Sequence, residues 1–194
     1  MARKKKAKPK RSKKKRTPKK IPEIKPDQIL LGSRQIFLNG VIDSNSAGNI
    51  IKQLRALDKL EDSPIVLWIN SGGGSITNGL AIIDTIKIIK SGVITIINGI
   101  AASMAGIISV CGDKRFITEN SIWMAHDGTT GGIDYFEKLY DRTDYIRNLQ
   151  KQLLTILRNK TKLSERELTK ARHGELWLFA EDCEKKGIVD AIIK

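Results

Sequence analysis

The sequence predicts an α/β domain built from repeated β-α-β units, with one long helix projecting from it. Three observations carry that reading. Short branched apolar runs alternate with helical periods; two glycine-rich turns stand where such a run gives way to a helix; and one helical pattern runs unbroken over residues 133–158. The chain has 194 residues, 40% hydrophobic and 29% charged. That is enough for one sizeable core, so residues 27–194 read as a single domain.

Ile36-Phe37-Leu38 reads as the first strand, and residues 46–60 as a helix with Ile50, Leu54, Leu57 and Leu60 on one face. Ile65 to Ile69 (Ile-Val-Leu-Trp-Ile) is a buried strand, followed by a helix over about 75–90 that carries Leu80, Ile83, Ile86 and Ile89. Val93 to Ile97 is the third strand, Ser103 to Val110 a short apolar helix, and 115–117 and 122–125 are further strands. The order β-α-β-α-β-α implies right-handed crossovers and a mostly parallel, buried sheet. In residues 133–158, Ile133, Phe136, Tyr140, Leu149, Leu153, Ile156 and Leu157 form one stripe. Such a helix spans roughly 40 Å. Its stripe needs a partner outside its own domain, and a second copy of the chain is the simplest supply. Ser164 with Glu167 forms a capping box for a helix over about 165–172. Leu176–Phe179, a helix at 181–186, Gly187 as its stop and Ile188-Val189-Asp190 complete the domain.

Charge is unevenly placed. Of 35 Lys and Arg, 13 lie in residues 1–20, which hold no acidic residue; the other 22 face 21 Asp and Glu, a net of +1 over 21–194. A DNA-binding fold with a basic face is therefore disfavoured. Residues 1–26, Lys-rich with Pro9, Pro18, Pro22 and Pro26, are expected to be disordered, either as a solvated tail or as an arm from Arg3 to Lys20 for nucleic acid or another polyanion. No apolar stretch is long enough to span a bilayer and no secretory h-region follows the basic N-terminus, so the expectation is a cytoplasmic protein without a membrane. Cys111 and Cys183 have no metal spacing, which fits buried thiols in a reducing compartment.

Two turns could carry chemistry. Asn70-Ser71-Gly72-Gly73-Gly74-Ser75 offers backbone N–H groups at a helix start, suited to a phosphate or a developing oxyanion. It has neither the Walker spacing nor the dinucleotide fingerprint. Gly99-Ile100-Ala101-Ala102-Ser103-Met104 leaves room for a substrate beside Ser103, which reads either as a nucleophile or as an N-cap serine. His126 ends an apolar run at the sheet end where α/β proteins gather functional groups, whereas His173 sits in a polar stretch typical of a solvated helix end. His126 is thus the better base for Ser103. By spacing alone the third member could be Glu175, Asp127, Glu181 or Asp190.

These motifs, with Arg34 to Gly40, Lys114-Arg115-Phe116, Asn120-Ser121, Met124-Ala125-His126 and Gly187-Ile188-Val189-Asp190, closely resemble in order the proteolytic subunits of Clp protease (ClpP), within the ClpP/crotonase-like group. The resemblance runs from about residue 34 to the C-terminus. It implies a serine endopeptidase with Ser103 as nucleophile and His126 as general base. It also implies Gly74 and Met104 N–H groups as oxyanion donors, no metal or organic cofactor, stacked heptameric rings enclosing a chamber, unfolded polypeptide as substrate, and a separate AAA+ ATPase of the Clp type. Counting from His126 puts Glu175 where the family has an aspartate, a residue one methylene longer. Gly72 and Gly128 replace prolines usual in the family and add backbone freedom that would slow catalysis. The other readings are a catalytically impaired scaffold or regulatory subunit, a crotonase-like acyl-coenzyme A binder, which the Ser103/His126 pairing opposes, and a Ser/Lys dyad with Lys114, which His126 makes unnecessary.

Overall fold

The computed structural model describes residues 25–128 and 136–194, without the side chains of 136–142. In chain order the elements are α1 (Pro26–Gly32), β1 (Gln35–Ile42), α2 (Ser44–Leu60), β2 (Ile65–Gly74), α3 (Ile76–Ile88), β3 (Val93–Ala102), α4 (Met104–Ser109), β4 (Lys114–Thr118), β5 (Ile122–His126), α5 (Phe136–Lys160), α6 (Glu165–His173), β6 (Glu175–Phe179), α7 (Ala180–Lys185) and β7 (Ala191–Ile193). The basic residues 1–24 lie outside the described residues, and the chain enters α1 with Pro26 in the first turn, where its missing N–H costs nothing.

The parallel path runs β1-β2-β3-β4-β7, and β5 pairs with β3 and, antiparallel, with β6. β3 changes neighbour along its length: Ile94 to Ile97 pair with β4, and Ile100 to Ala102 pair with β5. That fork opens a crevice at the carboxyl ends of β2, β3 and β5, the place where open parallel sheets bind ligands. Ile65, Leu67 and Ile69 are buried on one face of β2, while Val66 and Trp68 on the other face are only half-buried, the Trp68 ring stacking on exposed Phe37, so the first strands are less enclosed than the expected buried sheet.

The elements differ from the sequence reading in instructive ways. β2 and β3 do not stop at the end of their apolar runs. The Asn70–Gly74 segment is strand, paired with β1 through Val41↔Gly73 and Ile42↔Gly74 after a register shift, and β3 continues to Ala102. Backbone ladders need N–H and C=O groups, not apolar side chains, so small residues extend them. Leu60, expected on the buried face of its helix, is exposed at the last position of α2, where Ala47, Ile50, Leu54 and Leu57 form the buried stripe. The expected capping box at Ser164/Glu167 is present. In α5, Leu157 is buried and Leu153, Leu154 and Ile156 pack against the domain's own core, so this half of the stripe is covered without a second copy. Residues 133–135 and the side chains of Phe136 and Tyr140 lie outside the described residues.

Arg34 ties the first layer together. It takes a positive φ of 60° and donates from its guanidinium to the carbonyls of Leu57, Glu61, Ser63 and Pro64 and to Ser91 Oγ. A cation on the last carbonyls of α2 satisfies groups that the helix itself leaves orphaned.

Candidate active site

The turn between β3 and α4 is built by close backbone approach. Asn70 Oδ1 accepts from Ile100 N at 3.3 Å, and Ser121 Oγ accepts from Gly99 N at 2.7 Å, so two motif residues fix the strand just before the turn. Ser103 N donates to Met124 O at 2.9 Å, and Gly106 lies so close to that carbonyl that an added Cβ would stand 2.8 Å from it. The start of α4 is therefore held against β5, two residues before β5 ends in His126.

Ser103 has φ 54° and ψ −126°, a conformation sparsely populated by residues with a side chain. It occupies the N-cap position of α4, but its hydroxyl makes no cap hydrogen bond. The capping role that sequence alone allows is thus not what the side chain does. On its other side lies Gly73, at φ 96°, where a Cβ would meet Ala102 O and Ser103 Cβ at 2.7 Å and Met104 N at 3.0 Å. Only glycine lets β2 come this near. Ser71 Oγ donates to Gly40 O at 2.5 Å and accepts from Gly73 N, clamping the same segment.

Ser103, Met104, Gly74 and His126 line one cavity of about 510 Å³, together with Leu149, Leu153 and Leu154 of α5 and Ile107 of α4. Asp127, Tyr145 and Arg172 add polar groups to its wall. The cavity's size suits part of a peptide, with apolar walls and few polar groups, the usual make-up of a ligand site. Among the described residues no hydrogen bond joins Ser103 Oγ to His126.

Glu175 does not line this cavity. It begins β6 directly opposite His126 in the antiparallel pair, on the same face of the sheet. Its carboxylate is exposed and Oε2 accepts from Trp177 Nε1 at 2.8 Å. The other acids left open by spacing are engaged elsewhere. Asp190 pairs with Arg115 at 2.6 Å, Glu181 faces Lys185 at 3.6 Å, and Asp127 accepts from Gln150 Nε2 and from Gly128 N. His173 is an exposed helix end, as the sequence suggests. Gln150 and Trp177 were not visible as site residues in the sequence, because no motif or spacing marks a helix glutamine or a strand tryptophan as a neighbour of the site. Both cysteines are buried and unpaired, and burial pushes Cys111 up to about 11 and Cys183 up to about 12, so neither is a thiolate nucleophile at neutral pH. Among the described residues no cluster of His, Cys, Asp and Glu could hold a metal ion, and no helix is long and apolar enough to cross a membrane.

The family model of Clp protease matches residues 22–194. The chain is similar to the ATP-dependent Clp protease proteolytic subunit of Streptococcus mutans, 37% identical over 170 residues that cover 85% of this chain and 87% of that protein. It is also similar to those of Streptococcus suis and Streptococcus gordonii, each 35% identical over 169 residues, 84% of this chain and 86% of theirs. With nearly the whole domain matched, the chain belongs to the Clp protease family.

Proposed function

We propose that this protease is a serine endopeptidase with Ser103 as nucleophile, His126 as general base and Glu175 as the acid that orients the imidazole. The observation that carries the reading is Ser103 itself: a serine in a strained backbone conformation, its hydroxyl spared from capping, in one cavity with His126. Ser103 Oγ attacks the scissile carbonyl as its proton passes to His126 Nε2. The backbone N–H groups of Gly74 and Met104 hold the oxyanion. The imidazolium gives its proton to the leaving amine, and water, deprotonated by the same ring, releases the acyl group. None of these steps calls for a cofactor. Pairing of an extended substrate beside 128–132 is expected from the resemblance, and residues 129–132 lie outside the described residues.

The relatives are named as ATP-dependent subunits, and this chain has no Walker loop. Assembly into stacked heptameric rings around a chamber, with an AAA+ ATPase of the Clp type delivering unfolded polypeptide in the cytoplasm, follows as part of the proposal. The tail from Arg3 to Lys20 is proposed to bind nucleic acid or another polyanion. Retention on DNA should then fall steeply with salt and vanish on deletion of residues 1–20, and equal retention without them would refute it.

A fluorophosphonate probe tests the central claim. Labelling should add one adduct, on the peptide containing Ser103, and disappear in Ser103→Ala and His126→Ala. An adduct on another residue, or no adduct in assembled protein, would overturn the assignment.

A further inference from the structure

The geometry points to Trp177 as a positioning residue that holds the Glu175 carboxylate for His126; this rests on the triad proposed above. The β5–β6 register puts His126 opposite Glu175 and Met124 opposite Trp177, so His126, Glu175 and Trp177 stand on one face, with Trp177 on the diagonal from His126. The indole N–H takes Oε2 at 2.8 Å. A carboxylate has two oxygens, and no hydrogen bond to Oε1 is present among the described residues, which leaves that oxygen for the imidazole N–H.

The need for such a holder follows from the residue type. A glutamate at this place has one more rotatable bond than the family's aspartate, and it is exposed, so a free carboxylate would spend its time in water. An indole has only two side-chain torsions and a single donor, so one bond from it restricts the carboxylate at little entropic cost. The extra methylene is thereby offset by a second contact.

Glu175 stands opposite His126 in the sheet, and among the described residues the charged and titratable groups that share its cavity are Asp127, Tyr145 from α5 and Arg172 from α6. Asp127 is held by Gln150 and Gly128. The variants below change none of these three, so any shift they cause reports on the carboxylate.

The test is deuterium exchange at the imidazole C2 position as a function of pH, read by peptide mass spectrometry on the full chain. The chain has two histidines, and the method reports His126 and His173 separately without relying on activity. Trp177→Phe keeps the ring of a residue that is 45% exposed, so the fold persists while the donor is lost. The titration midpoint of His126 should fall by roughly half a unit or more, with His173 unmoved. Glu175→Gln should lower it at least as far, and Trp177→Phe should add nothing in that background. The pH profile of fluorophosphonate labelling should move in the same direction. An unchanged or raised midpoint in Trp177→Phe, or a full further fall in the Glu175→Gln background, overturns the proposal; a raised labelling rate would do the same, since it would mark Trp177 as holding Glu175 away. If the midpoints behave as stated but Ser103 is never acylated, the positioning role stands and the serine-peptidase reading fails.

Discussion

The nucleophile end and the acid end of the proposed triad are held by very different amounts of protein. Ser103 is fixed from three sides: Gly73 backs its Cβ with no room for a methyl between them, its amide is bonded to Met124 O, and the buried helix α4 follows it. Glu175 sits at the exposed start of the short strand β6 with, among the described residues, one side-chain hydrogen bond, to Trp177. The nucleophile is thus placed by the core, and any change there disturbs packing and chemistry together. The acid is placed by a register and one indole, so chemistry there can change while the fold does not.

Gly73→Ala should break the nucleophile end. The new methyl would stand 2.7 Å from Ala102 O and Ser103 Cβ, on backbone that cannot swing aside, and φ 96° is itself unfavourable for alanine. A loss of more than ~2 kcal/mol is expected from chemical denaturation, with labelling of Ser103 reduced to background. Wild-type stability together with normal labelling would show that the close approach is not what holds the turn. Glu175→Ala sharpens the other half of the comparison. Peptide hydrolysis should fall on the order of 10²-fold, while the unfolding midpoint stays within ~0.5 kcal/mol of the parent. A parallel collapse of stability would erase the contrast.

Much of the fold was legible because the short branched apolar runs at 65–69 and 93–97 favour strands, and the helical periods between them enforce crossovers. That Ser103 and His126 meet at one cavity was legible because each closes a run at the same end of the sheet. What stayed hidden was set by tertiary contact. Small residues at 70–74 and 98–102 give no strand pattern, yet pairing with β1 and β5 makes them strand. Leu60 fits the helical period but is the last residue of α2, beyond the reach of the core. β7, which pairs with β4, follows the Gly187–Asp190 segment without an alternating pattern of its own. Trp177 looks like one more strand aromatic until the register sets it diagonal to His126.

A smaller effect comes from a carboxylate held more firmly than Glu175. Glu167 is bonded by Lys186 Nζ at 2.7 Å and by Ser164 through Oγ at 2.6 Å and N at 2.9 Å, and these bonds, Lys186 foremost, hold its carboxyl down at about 2 from the usual 4.5. A folded-state value below the unfolded one stabilises the fold above pH 4.5, and the contribution fades as pH falls from there towards 2. Glu167→Gln should therefore cost on the order of 1–2 kcal/mol at pH 7, once screening at Lys186 is allowed for, and about a quarter of that at pH 2.5. Urea melts at the two pH values decide it, and an equal cost at both would assign the effect to the lost cap geometry instead of the charge.

The smallest expected change lies beside the proposed oxyanion donors. Gly72 stands where the family usually has proline. It takes no positive φ, an added Cβ would meet nothing within 4 Å, and it appears in neither the β1–β2 nor the β2–β3 register, which step from Asn70 to Gly73 and end at Ser71. Proline there forfeits no ladder pair and removes freedom from the unfolded chain, which stabilises by about 0.4–1 kcal/mol where the backbone fits. The same stiffening should hold Gly74 N–H more steadily toward the oxyanion, so Gly72→Pro is expected to raise peptide hydrolysis by a few-fold together with the unfolding midpoint. The two readouts separate the causes: a higher midpoint with an unchanged or lower rate would mean that the clamp of Ser71 on Gly40 and the contact of Gly73 with Ser103 already fix the segment, leaving no looseness at Gly72 to remove.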